Sequence, residues 1–380
     1  QVESALRGIM RVETSPFVIA GPAPAGEVVG RHDVLAAVAD RAALGRFVLL
    51  TAPRRYGKTT LVRRLAHDAA KRRDLAVVIV DLLGVQTLDD IALRMAQAWG
   101  RLPTGALAKA AARVLPFISG ISVAGGVVTL SVRTRPARDP GTLEAVLDIP
   151  RAVADRISRR VLVVLDEFQA IAAVNRADAV IRSQIQHQTD TVSYLFAGSD
   201  QSVTDMLFTD RARPLYGQAE RMALGPFDAD ALAAYVESRL ADSDRSITAS
   251  ALAAYLSMTG GHPQRSMLLA DAMWHTVEAG GTIDVAEVAV ALDDALTRSA
   301  DEFTAILGLL TDAQARVARL VAWGEPLTGA AAGRLSLSQG SARSAAAVLV
   351  DRGLLHMEDR RHSLVDPLLA ECLRRLGPRP

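Results

Sequence analysis

One stretch of the chain limits the fold more than any other: FVLLTAPRRYGKTTL, residues 47–61. Its first four residues, 47–50, are apolar and predict a short buried strand. A basic turn follows, and the amphipathic run from Lys58 to about residue 70 predicts a helix. A strand, a loop and a helix that join at Gly-Lys-Thr are the context of a phosphate-binding P-loop.

The chemistry of such a loop follows from its backbone, because N–H groups of the loop and of the helix N-terminus point at an anion. We expect Lys58 to reach the β- and γ-phosphates and the Thr59 hydroxyl to bind Mg²⁺. Ala52 stands where the usual GxxxxGK[ST] pattern has its first glycine, and a methyl group fits there if φ is not positive. The predicted nucleotide-binding residues of the loop are Pro53, Arg54, Arg55, Tyr56, Gly57, Lys58, Thr59 and Thr60.

A second apolar run, VLVVL at 161–165, is typical of a strand that is buried on both faces of a parallel sheet. It ends in Asp166 and Glu167, which is the Walker B pattern. We expect Asp166 to orient Mg²⁺ and Glu167 to polarise the attacking water. The apolar run at 192–197 also ends in polar residues, and there we predict Ser199 as the γ-phosphate sensor, with Asp200 as the second choice.

Strand and helix patterns alternate up to residue 226, which predicts an α/β fold with right-handed βαβ units and a parallel sheet. Ligands of such sheets bind at the carboxyl ends of the strands, where the motifs lie. Predicted helices cover 33–44, 58–70, 88–99, 102–116, 142–158 and 177–188, and predicted strands cover 47–50, 76–80, 161–165, 192–197 and 222–224. A β-hairpin insertion near 118–132 turns at Gly125-Gly126.

After residue 227 the strands are expected to stop. Helices are predicted at 228–241, 248–258, 263–279 and 284–301, with Asp228 as the first N-cap and Thr248 or Ser250 as the second. From residue 311, helices at 312–323, 328–335 and 338–352, strands at 354–357 and 362–365, and a helix from Pro367 predict a winged helix-turn-helix. Its exposed residues are expected to be Gln339, Ser341, Arg343 and Ser344 on the third helix and Arg360, Arg361 and His362 at the wing tip.

The chain is therefore divided into an extended lead-in (1–30), a P-loop core (31–226), a helical lid (227–303) and a winged helix (304–380). A net charge of +1 excludes a chain-wide polycation, so any contact with nucleic acid must come from a local patch. The single cysteine, Cys372, allows no disulfide framework and fits a reducing, cytoplasmic setting. No apolar run approaches the length of a membrane span, so no membrane association is expected.

Together, these motifs are similar to those of one known protein family. The chain resembles the archaeal-type ATPase family of P-loop NTPases, which is AAA+/STAND-like and related to the origin-recognition ATPases. The residues that carry it are Val29-Gly30-Arg31, APRRYGKTTL from Ala52, VLVVLDEFQAI from Val161, FAGSD from Phe196, RPLYGQ from Arg213, GGHP from Gly260 and SLVDPLL from Ser363.

The resemblance implies a P-loop AAA+-like parallel-sheet core, an all-helical lid and a C-terminal winged helix. It places Gly30 and Arg31 beside the adenine, His262 and Pro263 on the nucleotide, and Arg265 as a sensor-2 arginine. Family members often carry an arginine finger where this chain has Gln218. Arg213, Arg211 or Arg221 is then expected to replace it, and without any finger hydrolysis would be about 10³-fold slower.

The first functional hypothesis is an ATPase switch that binds ATP or ADP with Mg²⁺. Its nucleotide state would control binding of DNA or a partner protein through the winged helix, and assembly of a homo-oligomer. The alternative is a DNA-binding regulator in which ATP is mainly structural. A processive ring motor is the third reading, but it needs pore loops and a finger supplied in trans, and neither is evident in the sequence.

Overall fold

The structure is a computed structural model that describes residues 13–24, 27–71, 75–102, 105–114, 121–124, 127–130, 141–359 and 361–380. The chain divides into two compact units. The first comprises Pro22–Gly225 and Ala347–Arg360, and the second comprises Pro226–Ala346, Arg361–Pro380 and the described part of Gln1–Gly21. The division into four segments stays a prediction.

A five-stranded parallel sheet forms the centre of the first unit, in the order β2-β5-β6-β1-β7. Its strands are β1 (Val48–Thr51), β2 (Leu75–Asp81), β5 (Arg160–Asp166), β6 (Val192–Gly198) and β7 (Glu220–Ala223). Every residue of β1 and β6 is buried, because both faces of these strands pack against other elements. The register pairs Thr51 with Gly198 and Asp81 with Asp166, so the carboxyl ends of the strands lie along one edge. The predicted α/β P-loop architecture is confirmed.

Helices and a hairpin complete the first unit. The helices are α1 (His32–Ala43), α2 (Lys58–Lys71), α3 (Leu88–Gly100), α4 (Ala106–Val114), α5 (Gly141–Leu147), α6 (Ile149–Ile157), α7 (Ala177–Ile185) and α8 (Gln201–Thr209), and a 3-10 helix covers Phe168–Ala173. The hairpin strands β3 (Ile121–Ala124) and β4 (Val127–Leu130) are antiparallel. Its Gly125-Gly126 turn and its predicted outer ends lie outside the described residues, as do residues 103–104 and 115–116 of the helix predicted at 102–116. Leu102 and Gly105 are described and are not helical, so that helix starts later than predicted.

The helix predicted at 177–188 ends at Ile185. Three further details of the first unit differ from the predictions. The single helix expected at 142–158 is two helices, and Pro150 lies in the first turn of the second, where a missing N–H is tolerated. Helix α8 was not predicted; its N-cap is Asp200, whose side chain accepts a hydrogen bond from the Val203 N–H. The 3-10 helix after Glu167 was also missed, because six residues are too few to show a helical period.

The second unit is mainly helical. Its helices are α9 (Ala229–Ala241), α10 (Ala249–Thr259), α11 (Pro263–Trp274), α12 (Val285–Arg298), α13 (Ala300–Gly308), α14 (Asp312–Ala322), α15 (Ala330–Arg334) and α17 (Pro367–Arg375). The predicted caps are confirmed at Asp228 and Thr248, whose side chains accept backbone N–H groups of α9 and α10. Helix α17 packs against α10 and α14 of the same unit.

The expectation that no strand lies between residue 227 and the predicted wing is wrong at one place. Ser246–Ile247 (β8) and Thr282–Ile283 (β9) pair in parallel, and two-residue strands are too short to leave a periodic pattern. The helix expected at 263–279 ends at Trp274, and the one expected at 284–301 ends at Arg298, where Ser299 separates α12 from α13.

Helix α16 (Gln339–Asp351) and the strands β10 (Leu355–Glu358) and β11 (Arg361–Leu364) follow α15 in the order that the winged-helix prediction requires. On α16 all four residues predicted to be exposed are exposed: Gln339, Ser341, Arg343 and Ser344. Arg361 is exposed and His362 is half-buried, whereas Arg360 lies outside the described residues. The assignment as a winged helix stays a prediction. Among the described helices, none has the length and apolar character that crossing a membrane needs.

Candidate active site

The loop between β1 and α2, residues 52–57, lies at the carboxyl edge of the sheet. Ala52 is fully buried in the core and does not have a positive φ. The positive φ values of the loop belong to Arg55 (67°) and Gly57 (81°). The methyl group in place of the usual first glycine therefore causes no backbone strain.

Lys58, the first residue of α2, is only 6% exposed. Its ammonium group donates hydrogen bonds to the carbonyl oxygens of Ala52 (2.8 Å) and Pro53 (3.1 Å). Burial lowers the pKa of Lys58 to about 8, although the nearby carboxylates of Glu167 and Asp166 act in the opposite direction. The amine is thus desolvated and held against the loop.

The lowered pKa predicts how stability depends on pH. Below pH 8 Lys58 is charged in both states, and the folded state bears the cost of burying that charge. Between about pH 8 and about pH 10.5 the unfolded chain binds more protons than the folded one, so this group adds stability as pH rises. We expect Lys58→Met to be more stable than the wild type by about 1–3 kcal/mol at pH 7, and the difference to shrink towards pH 10.

Urea denaturation of both proteins across this pH range measures the difference. Lys71→Met is the matched control, since Lys71 is an exposed lysine at the other end of α2. A difference between Lys58→Met and the wild type that does not change with pH would contradict the prediction.

Thr59 and Asp166 come together at the end of β5. The Thr59 hydroxyl donates to Asp166 Oδ2 at 3.3 Å, and the Glu167 N–H donates to Asp166 Oδ1 at 3.0 Å. Burial raises the pKa of Asp166, which is 7% exposed, and the bond from Glu167 N–H opposes this. A hydroxyl and a carboxylate are hard oxygen donors of the kind that Mg²⁺ takes alongside phosphate oxygens. The donor set fits the predicted metal, and across the described residues no cluster of three or more His, Cys, Asp or Glu offers an alternative.

Glu167 lies between β5 and the 3-10 helix with a left-handed backbone, φ 54°. Its Oε2 atom accepts hydrogen bonds from Ser199 Oγ (2.7 Å) and from Gln169 Nε2. The Asp200 carboxylate is instead occupied as the N-cap of α8. Of the two sensor candidates, Ser199 is therefore the one that contacts the predicted base.

Gln169 was not singled out from the sequence. Its amide lies between Glu167 and Ser199 and bonds to both. The only sequence signal was its place two residues after the Walker B glutamate, and that signal is weak without the 3-10 turn. Its contact with Ser199 depends on the position of β6, because Ser199 lies 30 residues further along the chain.

Gly30 and Arg31 lie at the start of α1. Gly30 has a positive φ of 53°, and the Arg31 guanidinium donates to the Gly225 carbonyl oxygen at 2.7 Å. Arg31 is 7% exposed, and burial lowers its pKa to about 10 while the nearby Tyr56 raises it. Tyr56 belongs to the loop, so Arg31 lies beside the P-loop, and its predicted contact with adenine stays a prediction.

Comparison with known families adds an independent observation. Residues 42–207 match a family model described as "AAA domain". This stretch contains the loop, Lys58, Asp166, Glu167 and Ser199. The match makes residues 42–207 similar to an AAA domain, and this stretch is called the AAA domain below.

Solved structures resemble the whole chain, including the parts beyond the AAA domain. A Walker-type ATPase of Pyrococcus abyssi is 16% identical, with a TM-score of 0.69 over 94% of this chain and 99% of that one. The ORC2 protein of Aeropyrum pernix, in ADPNP-ADP complexes, is 17% identical, with a TM-score of 0.57 over 96% and 95%. A search of curated proteins found no match. The predicted resemblance to archaeal-type P-loop ATPases related to the origin-recognition ATPases is confirmed, and at these identities the neighbours show the fold alone.

Three predicted nucleotide contacts lie outside the AAA domain, in the second unit. His262 is the N-cap of α11, where its Nδ1 accepts the Arg265 N–H (3.3 Å), and Pro263 follows in the first turn. Arg265 is 1% exposed, and its guanidinium donates to Asp366 (2.8 Å) and Glu302 (3.2 Å). The role of these three residues at the nucleotide stays a prediction.

The candidate arginine fingers lie just beyond the AAA domain. Arg213 forms an ion pair with Asp178 (3.2 Å), and Arg221 forms one with Asp205 (2.6 Å). Arg211 is exposed and makes no salt bridge to any residue that the structure describes. Arg213 and Arg221, the two candidates nearest to Gln218 in the sequence, therefore each form an ion pair with an aspartate of the first unit.

Proposed function

We propose that this chain binds ATP and ADP with Mg²⁺ and hydrolyses ATP to ADP and phosphate. The observation that carries the proposal is the convergence of Lys58, the Thr59–Asp166 pair and the Glu167–Ser199 pair at the carboxyl edge of one parallel sheet. The AAA domain and the similar fold of ORC2 in ADPNP-ADP complexes support it.

Phosphate binding, metal binding and proton transfer are assigned to different residues of this chain. The Lys58 ammonium, now bonded to Ala52 and Pro53, turns to phosphate oxygens, and its burial strengthens that interaction because the surroundings have a low dielectric constant. Thr59 and Asp166 would hold Mg²⁺, which would neutralise charge on the phosphates. Glu167 accepts a proton from the attacking water, and Ser199 bonds to Glu167 and senses the γ-phosphate.

The output proposed for this switch is binding of DNA or of a partner protein through the C-terminal winged helix, in a cytoplasmic protein. The exposed polar face of α16, with Gln339 and Arg343, supports an interaction surface there. The exposed Arg211 pairs with no acidic residue that the structure describes, and it supports a nucleotide-dependent homo-oligomer because an arginine finger can be supplied by a neighbouring molecule.

Nucleotide binding tests the proposal directly. We expect the wild type to bind MgATP in calorimetric titration and Lys58→Met to bind it about 30- to 100-fold more weakly, because a charge-assisted bond to phosphate is worth about 2–3 kcal/mol. Lys71→Met, changed at the exposed end of the same helix, should bind like the wild type. Equal affinity of Lys58→Met and the wild type, or no binding by the wild type, would overturn the proposed function.

A further inference from the structure

We propose that Gln169 is a positioning residue of the ATPase site, which anchors one oxygen of the Glu167 carboxylate and leaves the other to face the attacking water. The inference rests on the proposed function and adds to it a residue that acts through the base. It follows from a hydrogen-bonded network that joins the end of β5 to the end of β6.

Both ends of the Gln169 amide are used in this network. Its Nε2 donates to Glu167 Oε2 (2.5 Å) and to Ser199 Oγ (3.1 Å). Its Oε1 accepts the Ser199 backbone N–H (3.2 Å). A single side chain therefore fixes the distance between the predicted base and the predicted sensor, and its orientation is set because the amide oxygen and nitrogen have different partners.

The two carboxylate oxygens of Glu167 have different hydrogen-bond surroundings. Gln169 and Ser199 both donate to Oε2, and within the described part of the chain Oε1 accepts no hydrogen bond. A half-buried glutamate at the end of a strand otherwise samples several rotamers, and ordering it costs free energy. Holding Oε2 thus fixes the carboxylate before the reaction and presents Oε1 as the proton acceptor.

Backbone packing fixes the place of Gln169. The 3-10 helix begins at Phe168, which is fully buried, and its ring lies 4.7 Å from that of Phe196 on β6 and 5.8 Å from that of Phe208 on α8. This aromatic contact holds the turn that carries Gln169 against the neighbouring strand.

Gly198 gives the amide room at the end of β6. A Cβ atom at this position would lie 2.8 Å from Gln169 Oε1 and 2.2 Å from Thr204 Oγ1. Any larger residue would push the amide away from the Ser199 backbone. The absence of a side chain at Gly198 therefore leaves the space in which the Gln169 side chain reaches the carboxyl end of β6.

Gln169→Glu tests the proposal with almost no change in volume. The variant keeps an oxygen that accepts the Ser199 N–H but replaces the donor to Glu167 by a carboxylate oxygen, which repels it. We expect kcat for phosphate release to fall about 10- to 100-fold, within the range that general-base catalysis contributes. KM and Kd for MgATP should stay within about threefold of the wild-type values, since no contact with the phosphates is removed. Gln186→Glu, the same change at an exposed glutamine after α7, should leave all three quantities unchanged.

A double-mutant cycle separates positioning from plain structural support. In single-turnover experiments Gln169→Ala should slow phosphate release in the wild-type background but change it less than about threefold in a Glu167→Gln background, because residues that act as a unit are not additive. Equal effects in both backgrounds, an unchanged kcat in Gln169→Glu, or a loss of MgATP affinity equal to the loss of kcat would overturn the role of Gln169. Those results leave the proposed function standing, whereas a wild type without phosphate release would overturn both.

Discussion

Glu167→Gln is expected to keep MgATP bound with an affinity close to that of the wild type and to lower phosphate release by about 10²- to 10⁴-fold. Glutamine has almost the same shape and can still bond to Ser199, so the binding surface formed by the loop and Lys58 is unchanged. What is lost is the carboxylate that accepts the proton of the attacking water. Calorimetric titration with MgATP and steady-state phosphate release measure the two quantities.

The control for this prediction is Glu237→Gln, an equivalent change at an exposed glutamate on α9. It should behave like the wild type in both measurements. Unchanged phosphate release in Glu167→Gln would show that another group acts as the base. A wild type that binds MgATP without releasing phosphate would instead favour the alternative in which ATP is mainly structural.

Arg265→Met is expected to lower the free energy of unfolding of the second unit by about 2–4 kcal/mol. The Arg265 guanidinium is buried and bonds to Asp366, Glu302 and Ser299, and it lies 5.1 Å from the Phe303 ring centre. Methionine fills much of the volume but leaves the Asp366 carboxylate, 18% exposed, without its cation. Part of the cost is offset because Asp366 also accepts the N–H groups of Leu368 and Leu369 as the cap of α17.

Urea denaturation followed by tryptophan fluorescence measures this loss, with Arg343→Met on the exposed face of α16 as the control. Stability equal to that of the wild type would contradict the prediction. Titration of the same variant with MgATP also tests the sensor-2 role implied by the resemblance. An intact affinity would show that the residue is structural.

The P-loop and Walker B residues were accessible to sequence reasoning because their geometry is local. An apolar run, a short loop with glycine and an amphipathic helix place Lys58 and Thr59 at the end of a strand by chain geometry alone. Asp166 follows the same logic, since the carboxyl ends of parallel strands share one edge. The contact between Thr59 and Asp166 depends in addition on the strand order, in which only β6 separates β1 from β5.

Short strands and breaks within helices could not be predicted in the same way. The break between α5 and α6 and the pair β8–β9 depend on a few residues whose period is too short to detect. The end of α11 at Trp274 was likewise not marked by an early glycine or proline.

The residue pattern alone predicted the succession of strands and helices along the chain, the phosphate-binding loop and the acidic strand end. These features are predictable because burial and backbone conformation produce a local periodicity in the sequence. The contact of Ser199 with Glu167, the bridge made by Gln169 and the partners of Arg265 were visible only in the folded chain. Ser199 meets Glu167 across 32 residues, and Arg265 meets Asp366 across 101. Long polar side chains have many partners within reach, and the packing of distant strands and helices decides which partner each one meets.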